Sequence, residues 1–299
     1  MSLLYSKART NSPARITAQT AFIKIRVRLP CIPKHLIKSP SNLDYMKKSA
    51  PSRKKTTSVK PTEFSRTAIS LFEECPRCFY LDKKLGIKRP PGFPFTLNAA
   101  VDRLMKAEYD GHRRAKTVHP LVSGAGLSLI PLDHADLSTW RNARRGIRIN
   151  YKGFEFYGAC DDVWSSQDEK IWHIVDYKTT AREHPVTQLD PENQAHHLSY
   201  QKQIAFYVWL MQQLGHPVSD KAFFVYSTGN NQLATFNDTL TFRTHLIAHS
   251  CSTASIPRLL DNLIACYNST GAPSPSNSCK YCSFNLKSSS IVTSKTPII

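Results

Sequence analysis

Two short stretches hold the residues best suited to chemistry, Gly158-Ala159-Cys160-Asp161-Asp162-Val163-Trp164 and Ile174-Val175-Asp176-Tyr177-Lys178-Thr179. Side chains alternate across a β-strand, so Asp176 and Lys178 leave one face while Tyr177 leaves the other. A carboxylate and an ammonium thereby share one site. If the preceding strand runs antiparallel to this one, Asp161 arrives beside Asp176, and the same alternation lets only one of Asp161 and Asp162 face it. Two carboxylates converging at the end of an apolar hairpin are costly to hold together unless a cation neutralises them. Hard divalent ions such as Mg²⁺ or Mn²⁺ take oxygen ligands, keep several waters and accept phosphate oxygens at their remaining positions. Such an ion activates a water and stabilises the charge that develops on a phosphodiester, while Lys178 orients that water or neutralises the charge around phosphorus. The expected chemistry is phosphodiester hydrolysis.

A second group is built from sulfur. Four of the eight cysteines form two C-x-x-C pairs, Cys75 with Cys78 and Cys279 with Cys282. No secretory signal is legible, so reduced thiols that hold a metal are expected rather than disulfides. Four thiolates in this pattern suit a structural Zn²⁺ as well as a 4Fe-4S cluster. Either would staple a C-terminal segment that has little apolar content of its own.

The elements that must position these groups are legible in outline. Ser65 can cap a helix whose apolar residues Ile69, Leu71 and Phe72 lead into Cys75. The run Arg89-Pro90-Pro91-Gly92-Phe93-Pro94 cannot be helical and reads as a rigid connector. A helix is predicted over residues 97–109, and strands over 147–151, 153–164 and 171–178, the last two separated by the polar turn 165–170. A strong helix covers 200–214 and ends at Gly215 and Pro217. Short strands are expected at 222–226 and 233–242, and a last helix at 254–267. The histidines, His196 and His197 included, show no ligand spacing. His112, Arg113 and Arg114 read either as a phosphate-holding cluster or as a solvated loop.

The formal charge is +18, and it is unevenly distributed. Residues 1–60 carry 14 Lys and Arg against a single acid, Asp44, so most of the basic signal lies there. This Ser- and Pro-rich segment reads as a disordered basic extension: a transit peptide for an organelle, a DNA-binding arm, or an upstream-extended start. Residues 61–284 would form one domain and 285–299 a flexible tail. No run of about 18 apolar residues occurs, so no membrane span is expected. An intracellular, cytoplasmic and nucleoid-associated location follows from this reading.

With these residues in view, the chain resembles the PD-(D/E)XK nucleases, and within them the RecB-like and CRISPR-adaptation branch. Gly158-x-x-Asp161 and Asp176-x-Lys178 are similar to the second and third motifs of that superfamily. Gln203-x-x-x-Tyr207 resembles the additional helical motif of the RecB-like branch, and Glu74-Cys75-Pro76-Arg77 with Phe79-Tyr80-Leu81 resembles its helical entry segment. The resemblance spans roughly residues 64–284. It implies an α/β restriction-endonuclease-like core, a mixed and mainly antiparallel central sheet flanked by helices. It also implies a DNA substrate, roles in repair, recombination or defence, and a helicase or other repair protein as partner. Asp161 and Asp176 would hold the metal, Lys178 would position water, and Gln203 and Tyr207 would support the lysine or the strand. Where RecB-like members carry a metal-binding histidine on the first core helix, this chain has Asp102, which can ligate Mg²⁺ through oxygen; Glu108 is the alternative on that helix. Relatives with an iron–sulfur cluster use one upstream and three downstream cysteines, whereas here the division is two and two. The competing reading is a catalytically inactive nuclease fold that binds DNA or a partner around its cysteine-held metal.

Overall fold

The chain enters its folded part through strand β1 (Glu63–Ser65), and the Ser65 hydroxyl accepts from the Ala68 N–H to cap helix α1 (Arg66–Glu74). Cys75 then adopts an extended conformation, which ends α1 and lets Pro76 open helix α2 (Pro76–Lys83), where its missing N–H costs nothing. The computed structural model describes residues 62–166 and 170–293. The basic extension 1–60, the centre of the polar turn (167–169) and residues 294–299 lie outside them.

The remaining elements follow in order: α3 (Thr96–Ala115), α4 (Pro120–Gly124), β2 (Leu129–Pro131), α5 (Leu137–Trp140), β3 (Ile147–Tyr151), β4 (Phe154–Gly158), β5 (Asp162–Ser166), β6 (Trp172–Arg182), α6 (Ala195–Gln213), β7 (Lys221–Asn230), β8 (Phe242–Ser250), α7 (Ile256–Asn268) and α8 (Lys280–Thr293). They build a five-stranded sheet in the order β2-β5-β6-β7-β8 and a three-stranded sheet in the order β1-β4-β3. The larger sheet is antiparallel except for the β6–β7 pair, which is parallel. A parallel pair needs a crossover, and α6 supplies it. This is the mixed α/β architecture that the sequence pointed to.

Three local readings change. The single strand expected over 153–164 is two strands in two sheets, with residues 159–161 making the crossing. Both halves carry buried aromatic residues, Phe156 in β4 and Trp164 in β5, so composition gives no sign of the switch. The strand expected at 233–242 is instead the connection before β8. There Leu233 and Phe236 are exposed, and Asn237 and Asp238 adopt positive φ values of 41° and 52°, which interrupts an extended path. Finally, α8 carries the chain as a helix through residues 285–293, with most of its surface exposed.

β6 is held from both faces. Val175 and Tyr177 pack with Met105 and Tyr109 of α3, Trp164 of β5, and Phe223 and Val225 of β7. Ile174, on the opposite face, joins the larger core that contains Ile204, Phe206, Val208 and Leu210 of α6. Each buried side chain of this size contributes roughly 1.5–3 kcal/mol, against about 0.5–1.5 kcal/mol net for a typical hydrogen bond. The two apolar layers therefore fix the strand, and the polar groups on it inherit their positions. Arg113, read from the sequence as a phosphate contact or a solvated residue, is buried instead. It pairs with the fully buried Asp162 and donates to the Leu132 carbonyl at 2.8 Å. A charge on the core-facing side of a helix needs such a partner, and here the second aspartate of Asp161-Asp162 supplies it. Among the described residues no helix is long and apolar enough to cross a membrane.

Candidate active site

The alternation expected for Asp161 and Asp162 is observed. Asp162 turns into the α3-side core, where it accepts from the Tyr177 hydroxyl at 2.8 Å as well as from Arg113. The β5–β6 register pairs Asp162 with Val175, and one step further this sets Asp161 opposite Asp176. β5 begins only at Asp162, so the Tyr177 N–H finds no ladder carbonyl there. It donates instead to Asp161 Oδ2 at 2.9 Å, and the end of the ladder thereby fixes this carboxylate.

Asp176 is 1% exposed, and its Oδ2 is ion-paired with the Lys178 ammonium. Lys178 is held from the other side by α6, through its bond to Gln203 Oε1 at 3.1 Å and the face of the Tyr200 ring, whose centroid lies 4.5 Å from Nζ. Gln203 Nε2 in turn donates to the Tyr207 hydroxyl at 3.0 Å. Residues 200, 203 and 207 lie on one helical face. Gln203 thus bonds the lysine and Tyr207 bonds Gln203. Tyr200 was not anticipated, although its spacing of three from Gln203 was available in the sequence.

Gly158 matters for the space it leaves rather than for its backbone conformation. Its φ is unremarkable, but a Cβ there would lie 2.5 Å from the Tyr207 ring. The missing side chain lets that ring approach the β4 backbone and so sets the position of the Tyr207–Gln203–Lys178 chain. Gly158→Ala should displace Tyr207 and destabilise the protein by about 1–3 kcal/mol, the usual cost of overpacking. Tyr207→Phe should cost less, because it keeps the ring and loses one hydroxyl. Side-by-side thermal melts check this order, and a Gly158→Ala protein that melts like wild type would contradict it.

On the α3 side, Asn98 Nδ2 donates to the Thr179 carbonyl at 3.1 Å and ties the start of the helix to β6. One turn on, Asp102 and Lys106 face Asp161. Lys106 Nζ lies 2.9 Å from Asp102 Oδ2 and 2.8 Å from Asp161 Oδ1. Asp102 is therefore linked to Asp161 only through the ammonium that stands between them. Glu108 points elsewhere and meets His119 Nε2 at 2.9 Å. Lys106 escaped the sequence reading, though an Asp and a Lys four apart on a helix are a recognisable pair.

Burial dominates the electrostatics. It raises the pKa of Asp176 to about 6, and the nearby Asp161 adds to the rise while Lys178 opposes it. A carboxyl whose folded pKa lies above its unfolded value destabilises the fold once ionised, so stability from this group is lost as pH rises through about 6. Burial acts against the charge on Lys178 as well, but Asp176 and Asp161 outweigh it and hold the ammonium above the usual lysine range. The site fits a cation: its carboxylate oxygens are hard donors, and the register brings Asp161 and Asp176 to one position of the sheet.

The cysteines converge elsewhere. The thiols of Cys75, Cys78, Cys279 and Cys282 are buried and lie within 4.8 Å of one another, with Sγ pairs at 3.5, 3.6 and 3.8 Å. Among the described residues this is the group of metal-capable side chains whose ligand atoms all come that close; the three aspartates do not.

A family model described as "PD-(D/E)XK nuclease superfamily" matches residues 95–285. A solved structure titled "Crystal structure of SSO0001" is similar at 18% identity with a TM-score of 0.38, covering 76% of this chain and 86% of that one. No curated protein matches.

Proposed function

Because the chain belongs to the PD-(D/E)XK nuclease superfamily, we propose that it is a divalent-metal-dependent deoxyribonuclease that hydrolyses DNA phosphodiester bonds through Asp161, Asp176 and Lys178. The observation that carries this reading is the strand register, which sets Asp161 opposite Asp176 with Lys178 two residues further on β6. Asp161 and Asp176 would hold Mg²⁺ or Mn²⁺, with Asp102 as the third oxygen ligand once it is released from Lys106. The ion would supply an activated water and charge stabilisation on the scissile phosphate. Of the three N–H groups on Lys178, Gln203 and Asp176 engage two, and the third can meet the attacking water or a phosphate oxygen. Gln203 and Tyr207 keep that proton aimed.

The bond from Lys178 to Gln203 and on to Tyr207 supports the finer assignment to the RecB-like branch, in which a helical motif backs the catalytic lysine. Action in repair, recombination or defence, beside a helicase or other repair protein, belongs to the same proposal, as does a nuclease domain over residues 61–284. The test is direct. Full-length protein with Mg²⁺ or Mn²⁺ should cleave linear DNA and lose that activity in excess chelator, and a protein inert towards DNA with every divalent ion tried would sink the proposal.

For the four thiols we propose one tetrahedral Zn²⁺. A zinc ion with Zn–S bonds of about 2.3 Å places its four sulfurs roughly 3.8 Å apart, which is the spacing of the Sγ pairs at 3.5–3.8 Å. In a four-iron cluster each cysteine binds a different iron, which spreads the thiolates further.

A further inference from the structure

Lys106 is a lysine with an uncommon position. An ordinary (i, i+4) pair such as Asp102 with Lys106 is a surface feature of a single helix. Here the same ammonium also reaches a carboxylate from another element, Asp161 at the start of β5, and its side chain is 23% exposed. Asp161 can take that position because its other oxygen is committed to the Tyr177 N–H. The ammonium therefore lies between two of the three oxygens assigned above to a divalent ion.

We propose that Lys106 is a built-in stand-in cation, which neutralises Asp102 and Asp161 in the metal-free protein and is displaced when a divalent ion binds. The inference rests on the nuclease reading, since it concerns the same site. Mg²⁺ needs oxygens at about 2.0–2.1 Å, closer than the 2.8–2.9 Å at which they now meet the lysine nitrogen. An ion and an ammonium of like sign cannot share that space, so metal entry and Lys106 withdrawal are one event. Three consequences follow: the carboxylates stay aligned without metal, the metal affinity is weakened by the competing lysine, and the released ammonium becomes a cation that a DNA phosphate can engage.

Ca²⁺ binding to the full-length protein, followed by titration calorimetry and by the shift in thermal midpoint, tests this without relying on turnover. Lys106→Met should bind Ca²⁺ about tenfold more tightly than wild type, a modest share of the Coulomb interaction between charges this close. Lys106→Arg keeps the competing charge and should stay near the wild-type affinity. In chelator, Lys106→Met should melt below wild type and recover on adding Ca²⁺; Lys106→Gln, which keeps a polar side chain in place, provides the same comparison if the methionine variant folds poorly. Equal or weaker Ca²⁺ binding by both neutral variants overturns the proposal while leaving the nuclease reading intact. A wild-type protein whose Ca²⁺ response is absent, or is unaffected by Asp176→Asn, overturns both.

Discussion

Lys178→Ala should lower the rate of DNA cleavage by about 10²–10³-fold, the range for removing one preorganised donor from a site of developing charge. Asp176→Ala should bring cleavage to background, because it deletes a metal ligand rather than a donor. The loss must be separated from unfolding. Asp176 is buried and held with a raised pKa, so it strains the metal-free fold, and Asp176→Asn should unfold at a temperature no lower than wild type in chelator. A protein that melts normally and no longer cuts is the expected result. Cleavage that survives either alanine substitution would remove these residues from the chemistry. A Gln203→Ala variant should fall between wild type and Lys178→Ala, since it removes the acceptor that aims the ammonium and keeps the ammonium itself.

Removal of the zinc proposed for the cysteine site should release α8 while the two cores stay folded. The four thiols form a separate buried cluster joined by little more than Leu71. The other ties around them are polar: Arg77 donates to the Pro273 carbonyl at 3.0 Å, and Arg89 donates to Cys279 Sγ at 3.4 Å and lies over the Tyr281 ring. Leu286, Ile291 and Val292 of the helix are exposed, so it has no apolar stripe to keep it in place. Cys279→Ser should therefore cost on the order of 4 kcal/mol, the scale reached when a structural metal is lost. Hydrogen exchange and limited proteolysis should show the change concentrated in residues 270–293. Metal analysis of anaerobically purified protein should give one zinc per chain and a colourless solution. A brown protein containing iron would overturn the single-ion assignment.

The residues of the proposed site were legible because their signal is local. Asp176-x-Lys178 shares a face by strand alternation alone, and Gln203 with Tyr207 shares one by helical spacing. The two C-x-x-C pairs announce a metal by composition. Arg113 was misjudged for a related reason: a basic residue beside His112 and Arg114 reads as solvated, and only the packing of α3 shows that it turns inward to a buried carboxylate.

Sequence by itself determined which side chains can act and the element that carries each, since periods of two and 3.6 residues follow from backbone geometry. Tertiary structure decided the rest. The change of sheet between Gly158 and Asp162, the contact of the Tyr207 ring with Gly158, the insertion of Lys106 between Asp102 and Asp161, and the meeting of Cys75 and Cys78 with Cys279 and Cys282 all join residues distant along the chain or on different elements. Such distances are set by how whole apolar faces pack, and no local pattern of residues encodes them.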